Sequence, residues 1–197
     1  MEYLVDNEAK VFIIRRWMLQ FYGQKLKSLL ETSNEWINKQ YNGKKLTREI
    51  MLYGNGFIKE YPYDHIKYPI INWNRREQIN REIKAVMNAI ICDETIIKHL
   101  GQVDFNSCVI NRYKNGRHFI SPHKDIEADG PYNAVITLSL GASRTFILKR
   151  DDEVIKTKLH HGDLLVMSLK CQELYEHAIP KEKAAGSRIS LTYRFIN

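Results

Sequence analysis

Residues 133–169 read NAVITLSLGASRTFILKRDDEVIKTKLHHGDLLVMSL, four short apolar or alternating runs separated by GAS, DD and HHGD. Runs of this length, rich in Ile, Val, Leu and Thr and bounded by Gly, Asp, Asn or Ser, predict antiparallel strands joined by turns. The punctuation continues in both directions, with SCVINRY (107–113) and FISPH (119–123) before the stretch and YEHAIP (175–180) and SRISLTYRFI (187–196) after it. Eight such strands from Asn106 onward suit a double-sheet jelly roll, whose open mouth can hold a small ligand or a metal.

The N-terminal half reads differently. Lys10–Arg15 is short and β-branched, and Met18–Trp36 places Phe21, Leu26, Leu29 and Leu30 at three- and four-residue spacings, so a strand leads into a helix. A second helix is predicted over Arg76–Ile91. Between them Glu49–Pro69, with YGNG and YPYDHIKYP, is rich in Tyr, Gly and Pro and reads as an aromatic surface loop region of turns and extended segments. The 197 residues fit a single α+β domain. No repeat, low-complexity tract or Pro/Gly-rich linker breaks it, so the chain divides by periodicity into an N-terminal extension (1–105) and a β-rich core (106–197).

Lys and Arg number 30 against 23 Asp and Glu, a net charge of +7 that favours an anionic partner such as nucleic acid. No apolar run approaches the roughly 20 residues of a bilayer span, so no membrane partner is expected. MEYLVDNEAK at the N-terminus is acidic and lacks the basic and apolar regions of a secretory signal, which points to an intracellular protein, cytoplasmic or nuclear. Cys92, Cys108 and Cys171 form no CxxC pair, so buried free thiols are expected in place of disulfides or a thiolate zinc site.

In SPHKDIE (121–127), His123 and Asp125 stand two residues apart, which on an extended strand turns both side chains to one face. His177, in LYEHAIP (174–180), lies in another strand-like segment ahead of a proline. Two imidazoles and a carboxylate are the facial donor set that leaves open positions on a non-haem iron(II). HxD triplets also arise by chance, and His65, His99, His118, His160 and His161 are further candidate ligands, although the HHGD pair reads as polar turn residues.

The last strand places Arg188, Ser190, Thr192 and Arg194 at even spacing, hence on one face. Two guanidiniums, a serine and a threonine turned into a sheet interior are costly unless an anion binds there. A dicarboxylate such as 2-oxoglutarate meets that demand, because the guanidinium fork matches a carboxylate. An outward-facing basic edge strand is the other reading of the same alternation. Asn111 and Tyr113 share a strand face in VINRY and can both hydrogen-bond a carboxylate, or pair as ordinary polar residues.

Taken together, NRYKNG, HKD with a glutamate downstream, LSLGASRTFILK, HGDLLVM, His177 and RISLTYR resemble the AlkB family of nucleic-acid dealkylating dioxygenases. The match runs from about Asn106 to the C-terminus, and TREIMLYGNG extends a weaker one toward the N-terminus. The resemblance implies a double-stranded β-helix (jelly roll) with N-terminal helices and nucleotide-recognition loops. It makes His123, Asp125 and His177 the catalytic iron ligands and Arg188 the partner of the distal 2-oxoglutarate carboxylate. Asn111, Tyr113, Ser190 and Arg194 would line the cosubstrate site. A flipped base would be held against an aromatic ring, Tyr61 or Tyr63, and Glu127 would attract the positive charge of an N-methylated base. Ile126 departs from the pattern by replacing an acidic residue often found there, and Arg144 matches a family position whose role is structural or phosphate-binding.

The activity so implied is demethylation of bases such as 1-methyladenine and 3-methylcytosine, with Fe(II), O2 and 2-oxoglutarate consumed and formaldehyde and succinate released. The expected partner is alkylated DNA or RNA, met by a monomer. Hydroxylation of a protein or small-molecule substrate, and non-catalytic nucleic-acid binding on the same fold, are the competing readings.

Overall fold

The strand signals of the C-terminal half resolve into two facing sheets, and the larger continues into strands from the N-terminal half. The computed structural model describes residues 1–41, 44–57, 60–63, 66–125 and 134–196, with side chains described outside 39–46 and 58–67. In chain order, the first half holds β1 (Glu2–Asp6), β2 (Lys10–Ile14), α1 (Gln20–Glu31), β3 (Ile37–Tyr41) and β4 (Lys44–Gly54). It continues with β5 (Glu60–Tyr63), β6 (Ile66–Pro69), β7 (Ile71–Asn72), α2 (Gln78–Ile91) and α3 (Glu94–Leu100). The second half holds β8 (Ser107–Tyr113), β9 (Ile120–His123), β10 (Ala134–Gly141), β11 (Arg144–Arg150) and β12 (Glu153–Leu159). It ends with β13 (Leu164–Ser168), α4 (Leu169–Leu174), β14 (Glu176–Ile179) and β15 (Arg188–Arg194).

The larger sheet runs β1-β2-β13-β10-β15-β8-β4-β3, with β7 beside β4, and the smaller runs β12-β11-β14-β9. Strands β5 and β6 pair as a separate hairpin. Because β10 and β15 lie mid-sheet, their alternate residues enter two different interiors. Ile136, Leu138, Leu140, Ile189, Leu191 and Tyr193 pack toward the helices with Leu26, Leu30, Ile83 and Ile90. Val135 joins Leu165, Met167, Phe146 and Leu148 between the two sheets. Full burial of each such side chain contributes roughly 1.5–3 kcal/mol, which sets the strand register firmly.

Helix α2 buries Ile83, Val86, Met87 and Ile90, the spacing of a single helical face. Helix α1 is shorter than the predicted 18–36 and buries Gly23, Leu26, Lys27 and Leu30. At 3.6 residues per turn this phase turns Phe21 outward, and it is 76% exposed despite its apolar spacing. Asp93 caps α3 by accepting from Ile96 N at 3.0 Å, and its other oxygen accepts from Trp17 Nε1 at 2.8 Å.

Two expectations are corrected. Glu49–Gly54 is no surface loop but the second half of β4, where Ile50, Met51, Leu52 and Tyr53 are buried. Strand β4 pairs with β8 over six residues, and that tertiary pairing overrides the turn composition that follows it. Cys92 is exposed at the end of α2, whereas Cys108 and Cys171 are buried free thiols as expected. The HHGD turn is confirmed, with Gly162 at φ +81° and so close to Met18 that a Cβ would lie 2.3 Å from its carbonyl oxygen. No helix among the described residues is long and apolar enough to cross a membrane.

Candidate metal and anion site

The smaller sheet brings the two histidines together. In the β14–β9 ladder His177 pairs directly with His123, and their ring centroids are 4.3 Å apart. Strand β9 ends at His123, so Asp125 stands beyond the ladder, not on the strand as its spacing suggested. It nevertheless returns to the same side. His123 Nε2 is 3.7 Å from Asp125 Oδ1, and His177 Nε2 is 3.7 Å from Oδ2. One ligand atom from each residue falls within 4.8 Å of the others, a spacing that could hold one metal ion.

The protonation states suit that ion. Burial alone would raise the Asp125 carboxyl, but Arg194, His177 and His123 more than offset it and hold the group at about 2. Burial pushes His177 down to about 3 and lowers His123 as well, so both rings are neutral at pH 7. Ser121 O lies 2.9 Å from His123 Nδ1, which keeps the proton on that nitrogen and the Nε2 lone pair toward Asp125. His177 Nδ1 is buried without a hydrogen-bond partner among the described residues.

Strand β15 meets the cluster from the larger sheet. Arg188, Ser190, Thr192 and Arg194 are all buried on one face, as the even spacing predicts, and their alternation with the helix-facing Ile189, Leu191 and Tyr193 turns that face inward, which decides against the outward-facing edge strand. Ser190 lies across from Asn111 on one side and Ser139 on the other, and Arg188 lies across from Tyr113. Thr192 shares a hydrogen bond with Thr137 at 3.1 Å. Arg194 Nη1 contacts Asp125 Oδ1 at 3.0 Å, which joins the strand to the metal-ligating cluster.

Arg188 is the unusual group. It is 1% exposed, donates from Nη2 to Ser139 Oγ at 2.8 Å, and leaves Nε and Nη1 without hydrogen-bond partners among the described residues. Its burial lowers its pKa and Arg144 nearby adds to that effect, while Tyr113 opposes it. Tyr113 is near both cations, whose guanidinium carbons lie 5.2 Å (Arg188) and 5.4 Å (Arg144) from its ring centre. Arg144 also has Nε and Nη1 without hydrogen-bond partners among the described residues, but its Nη2 donates to His118 O and Pro180 O and its Nε lies 3.2 Å from the Glu182 carboxylate. These contacts tie the segment after β14 to β11. Arg188 has no carboxylate partner among the described residues, and its unpartnered Nε and Nη1 are the donors that an anion with paired oxygens would take.

One residue of the site escaped the sequence reading. Arg48, on β4, is 5% exposed and donates from Nε to Asn111 Oδ1 at 2.9 Å. Its charge also contributes to the lowered His123. The signal was present, since Arg48, Ile50 and Leu52 alternate with Glu49, Met51 and Tyr53, but a loop reading of this stretch hides the shared face. Tyr61 and Tyr63 lie on the backbone of β5 with side chains outside the described set, and Glu127 and Ile126 lie outside the described residues altogether.

Comparison with known proteins agrees with this geometry. Residues 12–194 match the model of the 2OG-Fe(II) oxygenase superfamily. DNA oxidative demethylase ALKBH2 of Mus musculus is 33% identical over 104 residues, which cover 47% of this chain and 44% of that one. Alpha-ketoglutarate-dependent dioxygenase alkB homolog 3 of Homo sapiens is 32% identical over 105 residues, covering 47% of this chain and 37% of that one. The chain thus spans less than half the length of these curated relatives. A solved structure of OsALKBH1 superposes with a TM-score of 0.61 at 19% identity, covering 93% of this chain and 97% of that chain, a likeness of fold. With its two-sheet roll, its His-Asp-His cluster and a family match along nearly its whole length, the chain belongs to the 2OG-Fe(II) oxygenase superfamily, which uses Fe(II), 2-oxoglutarate and O2.

Proposed function

We propose that the protein is an oxidative dealkylase acting on N-alkylated bases, such as 1-methyladenine or 3-methylcytosine, in DNA or RNA. One observation carries the reading: between the two sheets, a two-histidine, one-carboxylate cluster and a buried arginine with two unpartnered guanidinium nitrogens are linked through β15. Neutral imidazoles, an ionised carboxylate and the absence of thiolate fit iron(II). The open edge of Arg188 fits the distal carboxylate of 2-oxoglutarate. When bound, iron with its cosubstrates supplies the oxidation of the alkyl carbon on the base nitrogen.

The protein's own residues hold and aim. His123, Asp125 and His177 would hold the ion, and Arg194 keeps Asp125 ionised. Asn111, Tyr113 and Ser190 line the cosubstrate side, with Arg48 fixing the Asn111 amide. Tyr61 or Tyr63 would face the flipped base, and Glu127 would favour its positive charge. Support for the substrate class comes from the relatives, one of which is named a DNA oxidative demethylase, and from the net charge of +7.

Incubating the protein with iron, ascorbate, 2-oxoglutarate and methylated oligonucleotides, DNA and RNA in parallel, tests the reading. Formaldehyde and succinate are expected in equal amounts. Succinate release with an unchanged oligonucleotide would move the substrate to a protein side chain or small metabolite. Oligonucleotide binding without succinate would leave only a binding module.

A further inference from the structure

Asp125 presents a local problem that the fold solves in an unexpected place. Its carboxylate must stand between two histidines, yet its backbone lies past the last paired residue of β9, where no ladder hydrogen bond among the described residues fixes it. The amide N–H of Asp125 is instead bound by a side chain: Gln172 Oε1, in α4, accepts from it at 3.0 Å in a buried setting. Gln172 is 5% exposed, and its Nε2 donates to Met167 Sδ at 3.7 Å, which turns the carbonyl end of the amide toward Asp125. Helix α4 grips the neighbouring residue too, through Lys124 Nζ and Glu173 O. This short helix links β13 of the large sheet to β14, the strand that carries His177. Gln172 therefore fixes one ligand from the same connection that delivers another.

We propose that Gln172 is a positioning residue for the metal site: its side-chain carbonyl replaces the missing ladder partner of Asp125 and sets where that ligand's carboxylate stands. The proposal rests on the metal reading above. Without the acceptor, a buried N–H loses its partner and the 124–125 backbone must shift to recover one. A sub-ångström shift there moves both carboxylate oxygens relative to His123 and His177, although none of the three ligands is altered. Substitutions that disturb the partners of metal ligands characteristically weaken metal binding by about 10- to 100-fold.

The test uses Mn2+ as the probe with the full chain. Gln172→Leu removes the acceptor, and Gln172→Glu keeps an oxygen at the same reach. Mn2+ affinity is measured by the electron paramagnetic resonance of the free ion, and hydrogen exchange of the Asp125 amide is followed by NMR in metal-free protein. The expected result is Mn2+ binding weaker by about 10- to 100-fold in Gln172→Leu, with fast exchange at Asp125, and near wild-type binding with a protected amide in Gln172→Glu. The amide readout separates the hydrogen bond from the charge that Glu adds. Equal Mn2+ affinity in Gln172→Leu, or an Asp125 amide still protected there, overturns the proposal. If Gln172→Leu does not fold, Gln172→Glu decides, and an unprotected Asp125 amide in it counts against. Wild-type protein that binds no Mn2+ at all would sink the metal reading itself, a different outcome from a variant that binds as well as wild type.

Discussion

Arg188 shows how a single side chain can be informative through what it costs. A guanidinium at 1% exposure with Nε and Nη1 unpartnered among the described residues carries a desolvation cost that Tyr113 offsets only in part, and a bound anion would offset more of it. Arg188→Met, similar in length and uncharged, is expected to raise the melting temperature of the ligand-free protein by about a few degrees. The same substitution should abolish the further rise that 2-oxoglutarate gives wild type. Differential scanning fluorimetry with and without 2-oxoglutarate checks both halves. A lower melting temperature for the ligand-free variant would mean that the protein alone satisfies the guanidinium. The shared face of Arg188, Ser190, Thr192 and Arg194 was legible in the sequence from the period of two along 188–194, but its inward direction was not, since an outward-facing edge strand has the same alternation. The position of Asp125 was not, because the end of β9 depends on where β14 stops pairing, a tertiary fact with no local signal.

At the scale of elements, the segment between β14 and β15 is held by Glu182. Its carboxylate accepts from Thr145 N, Thr145 Oγ1 and Lys158 Nζ, and it faces Arg144. Burial alone would raise this carboxyl, but Lys158 and Thr145 outweigh it and hold the group at about 2. An Asp or Glu with a depressed folded pKa stabilises the protein fully above its unfolded value of about 4.3 and loses that contribution as pH falls through the folded value. Urea titrations at several pH values should therefore show Glu182→Gln most destabilised relative to wild type above about pH 4.3, with the gap closing toward pH 2. A constant gap across that window would assign the effect to lost packing. Elements differed in how readable they were. The eight C-terminal strands were legible from apolar or alternating runs set between turn residues and α2 from its helical period, whereas β1, β3 and the short helices α3 and α4 carry no such signal. Strand β4 was obscured because its buried half runs straight into YGNG, and composition alone does not separate a strand end from a loop.

Across the whole molecule, the large sheet separates two tasks. One face packs on the helices around an apolar core, and the other faces the small sheet and carries the arginines, serine and threonine of β15. The excess of seven positive charges gives a long-range attraction for polyanions that salt screens. Affinity for a methylated oligonucleotide is expected to fall linearly on a log–log plot against salt, at about 0.7–0.9 per phosphate contact. Fluorescence anisotropy at several salt concentrations measures that slope, and a flat plot would remove nucleic acid as the partner. The most direct measurement of the central claim is the mass of an oligonucleotide bearing 1-methyladenine after incubation with iron, 2-oxoglutarate and either wild type or Asp125→Ala. Wild type should return a strand lighter by one methylene unit and the variant an unchanged strand. Demethylation by Asp125→Ala at the wild-type rate would contradict the placement of the metal between His123, Asp125 and His177.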